Sequence, residues 1–139
     1  MDKALLDTDT FSEILKRVDA QVAKRATEYR SQFGVYTIST ITVLEIVKGL
    51  HKVRREERIQ DFLKGLSAVE ILTLDLRSAE QGGRIYADLE RTGQPIGRAD
   101  PMIAAIAIQD GLTLITGNTA HYERITSLNY DLRLDNWRS

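Results

Sequence analysis

Two rhythms of apolar residues alternate along this chain. Short unbroken apolar runs, as expected of strands buried on both faces, are separated by stretches with apolar positions every three or four residues, the spacing of a half-buried helix. Ala4-Leu5-Leu6 is the first run and ends on Asp7. A helix follows, with Asp9 or Thr10 as its cap and Phe11, Ile14, Leu15 and Val18 on its apolar side. A charged helix from Val18 to Phe33 closes at Gly34, and Val35 to Ile38 is the second strand. Ser39-Thr40 opens a helix carrying Glu45; Gly49 and the charged run Lys52 to Arg58 break it from the next, which reaches Leu66. Val69 to Leu74 alternates as a third strand, and Asp75 caps a helix from Leu76 to Arg91 that Gly82-Gly83 interrupts.

The densest stretch is Ile96 to Ile125. Asp100-Pro101 predicts a helix start, with the carboxylate capping free amides and proline in the first turn. The following PMIAAIAI is apolar all round and predicts a helix buried on nearly every side. Asp110-Gly111 ends it, LTLIT is a buried strand, and Gly117-Asn118-Thr119 leaves the carboxyl end of that strand for another helix. Tyr130 to Leu134 makes a last short strand, with Trp137 beyond it. Strands alternating with helices predict an α/β fold, a parallel sheet with helices on both faces.

Composition narrows the chemistry. The 139 residues, 42% of them hydrophobic, suit one domain, residues 1–139, with a real core. Nineteen basic residues stand against 20 acidic ones, so a polyanion partner needs a local basic patch or metal ions. Absence of cysteine removes disulfides, thiolate catalysis and thiolate zinc sites, and suits a reducing compartment. The chain shows neither a basic, apolar leader nor a membrane-length apolar run, so the expectation is a cytoplasmic protein with no membrane partner.

Asp7 ends a strand, Asp100 starts a helix and Asn118 follows a strand. In a parallel sheet such positions share one edge, because strand carboxyl ends and helix amino ends face the same way. Each also has a plain structural reading: Asp7 as a turn or capping residue, Asp100 as a helix cap, Asn118 as a turn residue. At about 100° per residue, Val43, Ile46, Val47 and Leu50 form the apolar stripe of their helix, and Glu45 lies opposite with Thr42 and Gly49. That face is either solvated surface or the wall of a cleft. No G-x-S-x-G or G-x-x-x-x-G-K motif offers competing chemistry.

Four segments, LLDTD, STITVLEIVKGL, PIGRADPMIAAIA and LITGNTAHYERI, resemble the PIN-domain ribonucleases, and among them the VapC-type toxins of bacterial toxin–antitoxin pairs. The resemblance runs in order over almost the whole chain. It rests on the first Asp, a Glu four residues before a Gly, a G-x-x-D-x-x-I-A-A helix and a T-x-N-T turn. It implies a PIN-like three-layer α/β/α fold with a short central parallel sheet flanked by helices. It also implies that Asp7, Glu45 and Asp100 hold Mg²⁺ or Mn²⁺, with Asn118 assisting as a fourth polar residue. Thr8 and Thr116 match positions whose hydroxyls support the site on its substrate side. One departure stands out: many relatives continue the turn as N-T-x-D-F, whereas here His121-Tyr122 follows. His121 reads as a surface helix residue, or as a stand-in for that acid.

The expected activity is endoribonucleolytic, on RNA such as tRNA or rRNA, with translation inhibited as a consequence. Clustered carboxylates repel a phosphodiester until a hard cation inverts the local field. RNA affinity then falls to Arg98, two residues before Asp100, and to Lys48, Lys52, Arg54, Arg55 and Arg58 around the turn between the middle helices. The resemblance further implies a homodimer and a VapB-type antitoxin whose helix lies in an apolar groove between the early helices. The rival reading is a non-catalytic module of the same fold that binds RNA or a partner. A receiver-like signalling domain fits poorly, since Gly117 stands where a lysine is wanted after Thr116.

Overall fold

The computed structural model describes the chain from Met1 to Ser139. Its elements follow in the order β1 (Ala4–Leu6), α1 (Thr8–Lys16), α2 (Ala20–Phe33), β2 (Tyr36–Ser39), α3 (Thr40–Lys52), α4 (Glu56–Gly65), a 3-10 turn (Leu66–Ala68) and β3 (Val69–Leu72). Then come α5 (Leu76–Arg91), α6 (Ala99–Gln109), β4 (Thr113–Ile115), α7 (Thr119–Thr126) and β5 (Leu134–Asp135). Strands β1, β4 and β5 form one parallel sheet and β2 and β3 another. The two sheets meet along β1 and β2, so the spatial order is β3-β2-β1-β4-β5.

Side-chain alternation along the strands produces the three layers. Leu5 and Leu114 point into a core shared with Ile85, Leu89, Ile103 and Ile106 of α5 and α6. Their neighbours Ala4, Leu6 and Ile115 point the other way, against Phe11, Val22, Ala26 and Tyr29 of α1 and α2 and against Trp137. Short strands with both faces covered need few polar positions, which is why Ala4-Leu5-Leu6 and LTLIT lack regular polar alternation. Burying a Leu or Ile side chain contributes roughly 1.5–3 kcal/mol, so the central layer holds the fold chiefly through these few residues.

Several boundaries differ from the expectations, each for a local reason. Asp7 itself caps α1, its side chain accepting the Thr10 N–H, so neither Asp9 nor Thr10 is the cap. Asp19 caps α2, which leaves Val18 in the exposed link between the helices rather than on an apolar face. Helix α3 continues through Gly49 to Lys52, and the break falls at Arg54, in the left-handed region at φ 57°. Helix α5 is continuous across Gly82-Gly83, with Gly82 buried against α6, where a Cβ would make ordinary contact with Pro101 O and Ala105 Cβ at 3.6 Å. The third strand stops at Leu72, and the last strand is displaced to Leu134–Asp135, where it pairs with Leu114 and Ile115. No helix is long and apolar enough to cross a membrane.

Candidate functional site

The register of β1 against β4 places the exits of both strands side by side. Leu6 lies opposite Ile115, and the Asp7 N–H donates to Ile115 O at 3.0 Å. Asp7 and Thr116 therefore leave the sheet together, both buried. Ser39 ends β2 at the same edge and caps α3, so the first turns of that helix overhang the strand ends.

Asp7 is 5% exposed, and Oδ1 accepts the Thr10 N–H at 2.8 Å. Burial pushes its carboxyl above the ordinary aspartate range, while the Thr116 hydroxyl and the Thr10 groups pull it partly back. Glu45 comes from the second turn of α3. The Thr8 hydroxyl donates to its Oε1 at 2.5 Å and lies 3.0 Å from the Thr42 hydroxyl. The polar face of α3 is thus the cleft wall: Thr42 is fully buried and Leu44, on the other side, is exposed. Gly49, one turn beyond Glu45, leaves open space around it.

Asp100 does not cap its helix. Helix α6 begins at Ala99 after Gly97 turns the chain at φ 106°; Arg98 sits at the cap position without a capping side-chain bond, and Pro101 is the third helical residue. Freed from capping, the Asp100 carboxylate is held from α7 instead. The Tyr122 hydroxyl donates to Oδ1 at 3.0 Å, and His121 Nδ1 stands 3.2 Å from Oδ2. Burial raises the Asp100 carboxyl; Tyr122 and His121 lower it, and Glu45 and Asp9 raise it again. The Tyr122 phenol is driven well above its usual range by burial and by Asp100, Asp7 and Glu45. The Tyr122 hydroxyl thus bonds Asp100 and lies within electrostatic reach of Asp7 and Glu45.

The convergence is loose. No three acidic or imidazole groups gather closely enough to grip an ion among protein atoms alone. The donor chemistry is what suits an ion of the Mg²⁺ type: carboxylate and hydroxyl oxygens, where waters complete the shell of an ion that a few carboxylates hold. A buried carboxylate with no cation beside it is a second sign of fit.

Asn118 is placed differently. Its backbone N–H donates to Thr116 Oγ1 at 3.0 Å, fixing the turn, but the residue is exposed, caps nothing with its side chain, and borders a polar notch with Asp9, Thr10 and Arg138. Arg98 and the cluster Lys48, Lys52, Arg54, Arg55 and Arg58 are exposed. His121 is not the surface residue of the plainer reading; its side chain is 24% exposed and turned to Asp100. Tyr122 escaped the sequence reading, because it shares the buried face of α7 with Ile125 and so reads as core.

An apolar groove of about 950 Å³ opens beside the acids. Phe11, Ile14 and Leu15 of α1 face Ile46 and Leu50 of α3 and Phe62 of α4 across it, and Thr8 and Glu45 stand in its wall. The groove therefore runs directly into the acid cleft.

Fold and site together define a small parallel α/β domain with an acid-lined cleft at the strand exits and an apolar groove leading to it. The chain belongs to the PIN domain family, whose model matches residues 4–126. It is 33% identical over 138 residues to the tRNA(fMet)-specific endonuclease VapC of Shigella flexneri, covering 99% of each chain. It is 34% identical over 141 residues to ribonuclease VapC2 of Haemophilus influenzae, again covering 99% of each. Among solved structures it superposes on a chain of the DNA-bound VapBC complex of Salmonella typhimurium with a TM-score of 0.81, at 33% identity and 99% coverage of both.

Proposed function

We propose that this protein is a metal-dependent endoribonuclease, the toxin of a VapBC-type pair, with structured RNA such as tRNA or rRNA as its target and arrest of translation as the consequence. What supports this reading is that Asp7, Glu45 and Asp100 all lie within electrostatic reach of the buried Tyr122 hydroxyl and that none of them pairs with a Lys or Arg. The similarity to VapC ribonucleases over the full chain points the same way.

In this reading Asp7, Glu45 and Asp100 hold Mg²⁺ or Mn²⁺, with Asn118 assisting through the turn it shapes. When bound, the ion lowers the pKa of a coordinated water and offsets charge on the phosphodiester. The protein's own part is placement. The Thr10 N–H holds Asp7, the Thr8 hydroxyl holds Glu45, and Tyr122 holds Asp100. Thr116 fixes the Asn118 turn from beneath. Arg98, exposed at the mouth of α6, supplies a cation for a neighbouring RNA phosphate.

A VapB-type antitoxin is the partner we assign to the groove. An amphipathic segment laid on Phe11, Leu15 and Phe62 would end beside Glu45, so that one binding event would cover the substrate entrance. A homodimer completes the proposal.

The test is RNA cleavage by purified, antitoxin-free protein in Mn²⁺, Mg²⁺ or EDTA, beside an Asp7→Asn variant. Cleavage that needs metal and falls at least a hundredfold in the variant supports the reading. Equal cleavage by the variant would assign the activity to a contaminant. Absence of both cleavage and metal binding would leave a non-catalytic RNA- or partner-binding module.

A further inference from the structure

We propose that Arg138 is a stacking platform for one unpaired base of the RNA substrate, held in the polar notch beside the acid cleft; the inference rests on the ribonuclease reading above. A Cβ placed on Gly117 would lie 3.8 Å from both Cζ and Nε of Arg138 and 3.9 Å from its Cδ. A point so far from three successive atoms of a planar group, and nearly equidistant from them, lies over the plane rather than within it. The guanidinium therefore rests one face on Gly117. Its Nη2 edge is tied to Glu13 Oε2. The Arg138 side chain is still 50% exposed, and with one face and one edge covered the exposed half includes the opposite face. The backbone is fixed as well. Trp137 is buried against Tyr29, the Thr116 N–H donates to Asp135 O at 3.0 Å, and the Arg138 N–H donates to Asn136 Oδ1 at 2.9 Å. A partly exposed ion pair contributes little to stability, so fixing the plane is the larger consequence of Glu13.

A flat, oriented cation with one open face has a specific use in RNA binding. Splayed bases are stacked on aromatic rings or on guanidinium planes, and their edges are then hydrogen-bonded. The notch encloses about 290 Å³, and Asp9, Ser12, Asn118 and Asn136 line it beside Arg138. The Asn118 side chain makes no capping bond, which leaves its amide for a base edge. Lys16, also in the lining, forms no ion pair and is free to meet an adjoining phosphate. The notch borders the acids directly. Thr10 lines it and holds Asp7 through its N–H, and the charge of Asp9 bears on both Asp7 and Asp100. A base seated here is a near neighbour of the phosphodiester presented to those acids.

A six-nucleotide oligoadenylate is the probe, titrated into the isotope-labelled full-length chain in EDTA, where no cleavage competes. NMR should show the Arg138 Cδ protons moving upfield in the ring current of a stacked base. Arg138→Lys keeps the charge and discards the plane, whereas Arg138→Trp keeps a plane and discards the charge. Affinity should fall about tenfold in Arg138→Lys and stay within about threefold of wild type in Arg138→Trp, the scale on which one stacked base contributes. Circular dichroism checks that each variant is folded. The reverse order of the two variants would make Arg138 a phosphate contact and overturn the platform. Binding without an upfield shift, or no binding of the oligoadenylate, overturns it too. The metal-dependent cleavage test fails separately: cleavage without the shift removes only the platform. The shift without cleavage keeps the platform and removes the nuclease reading.

Discussion

Asp7 shows what a buried acid costs the fold. Its carboxyl is raised by burial, and that of Asp100 is raised for the same first reason. A raised folded pKa means that the native state holds the proton more tightly than the unfolded chain does. Through these two groups, metal-free stability should rise as pH falls from neutrality through the folded values toward the unfolded value of about 4. Above the folded values the full penalty applies. Asp7→Asn removes one charge and keeps a good N-cap, so the metal-free variant should melt about 3 °C higher at pH 7, on the order of 1 kcal/mol, with the gain lost by pH 4. A calorimetric scan at both pH values checks this; no gain at pH 7 would mean that burial of the charge carries little penalty. Tyr122→Phe should weaken Mn²⁺ binding about tenfold, as loss of a ligand-orienting hydrogen bond commonly does, with cleavage recovering at saturating metal. An unchanged titration would show that Asp100 needs no orienting. Asp7, Glu45 and Asp100 were singled out in the sequence because the resemblance assigned residues to fixed motifs. Tyr122 was not, since an aromatic on the buried face of a helix looks like packing until its hydroxyl is seen.

At the scale of elements, the hydrophobic pattern found every α-helix and the first four strands but displaced the last strand and misjudged what glycine does inside the helices. Gly82-Gly83 read as an interruption, yet α5 passes through both. Local propensity lost to packing, for α5 lies along α6 with Gly82 buried in the contact. Gly83, on the outer side, meets nothing within 4 Å. It weakens the helix without serving a contact. Gly83→Ala should therefore stabilise the protein by about 0.5–1 kcal/mol and leave RNA cleavage unchanged. Urea unfolding at equal slope reads the difference, and a loss of stability would reveal a constraint on that outer face. Helix α3 teaches the converse. Periodicity correctly opposed Glu45 to the apolar stripe but could not say whether its face met solvent or a cleft. That depended on Ser39 capping the helix at the sheet edge and on Thr42 being covered there, both tertiary facts.

Over the whole molecule, the three-layer order was legible because short unbroken apolar runs have few other uses. The split of the sheet along β1 and β2 was not, since strand periodicity carries no information on which strands exchange hydrogen bonds. The same architecture separates two surfaces of opposite character that share a wall: the charged cleft at the strand exits and the apolar groove between α1, α3 and α4. Leu15 lies on the groove side of α1 and is 54% exposed, so its side chain contributes little to the core. Exposed positions of this kind usually change stability by less than about 0.5 kcal/mol when substituted. An anchor residue in an interface groove, by contrast, commonly contributes about 2 kcal/mol or more to binding. Leu15→Glu should thus leave metal-dependent RNA cleavage by the free toxin near wild type while weakening binding of the cognate VapB-type antitoxin about thirtyfold. The variant would then cleave RNA at antitoxin concentrations that silence the wild type. Isothermal titration with the purified antitoxin, run beside the cleavage assay, separates the two surfaces. Unchanged antitoxin affinity would place the partner elsewhere on the molecule, and a matching loss of cleavage would show that groove and cleft act as one site.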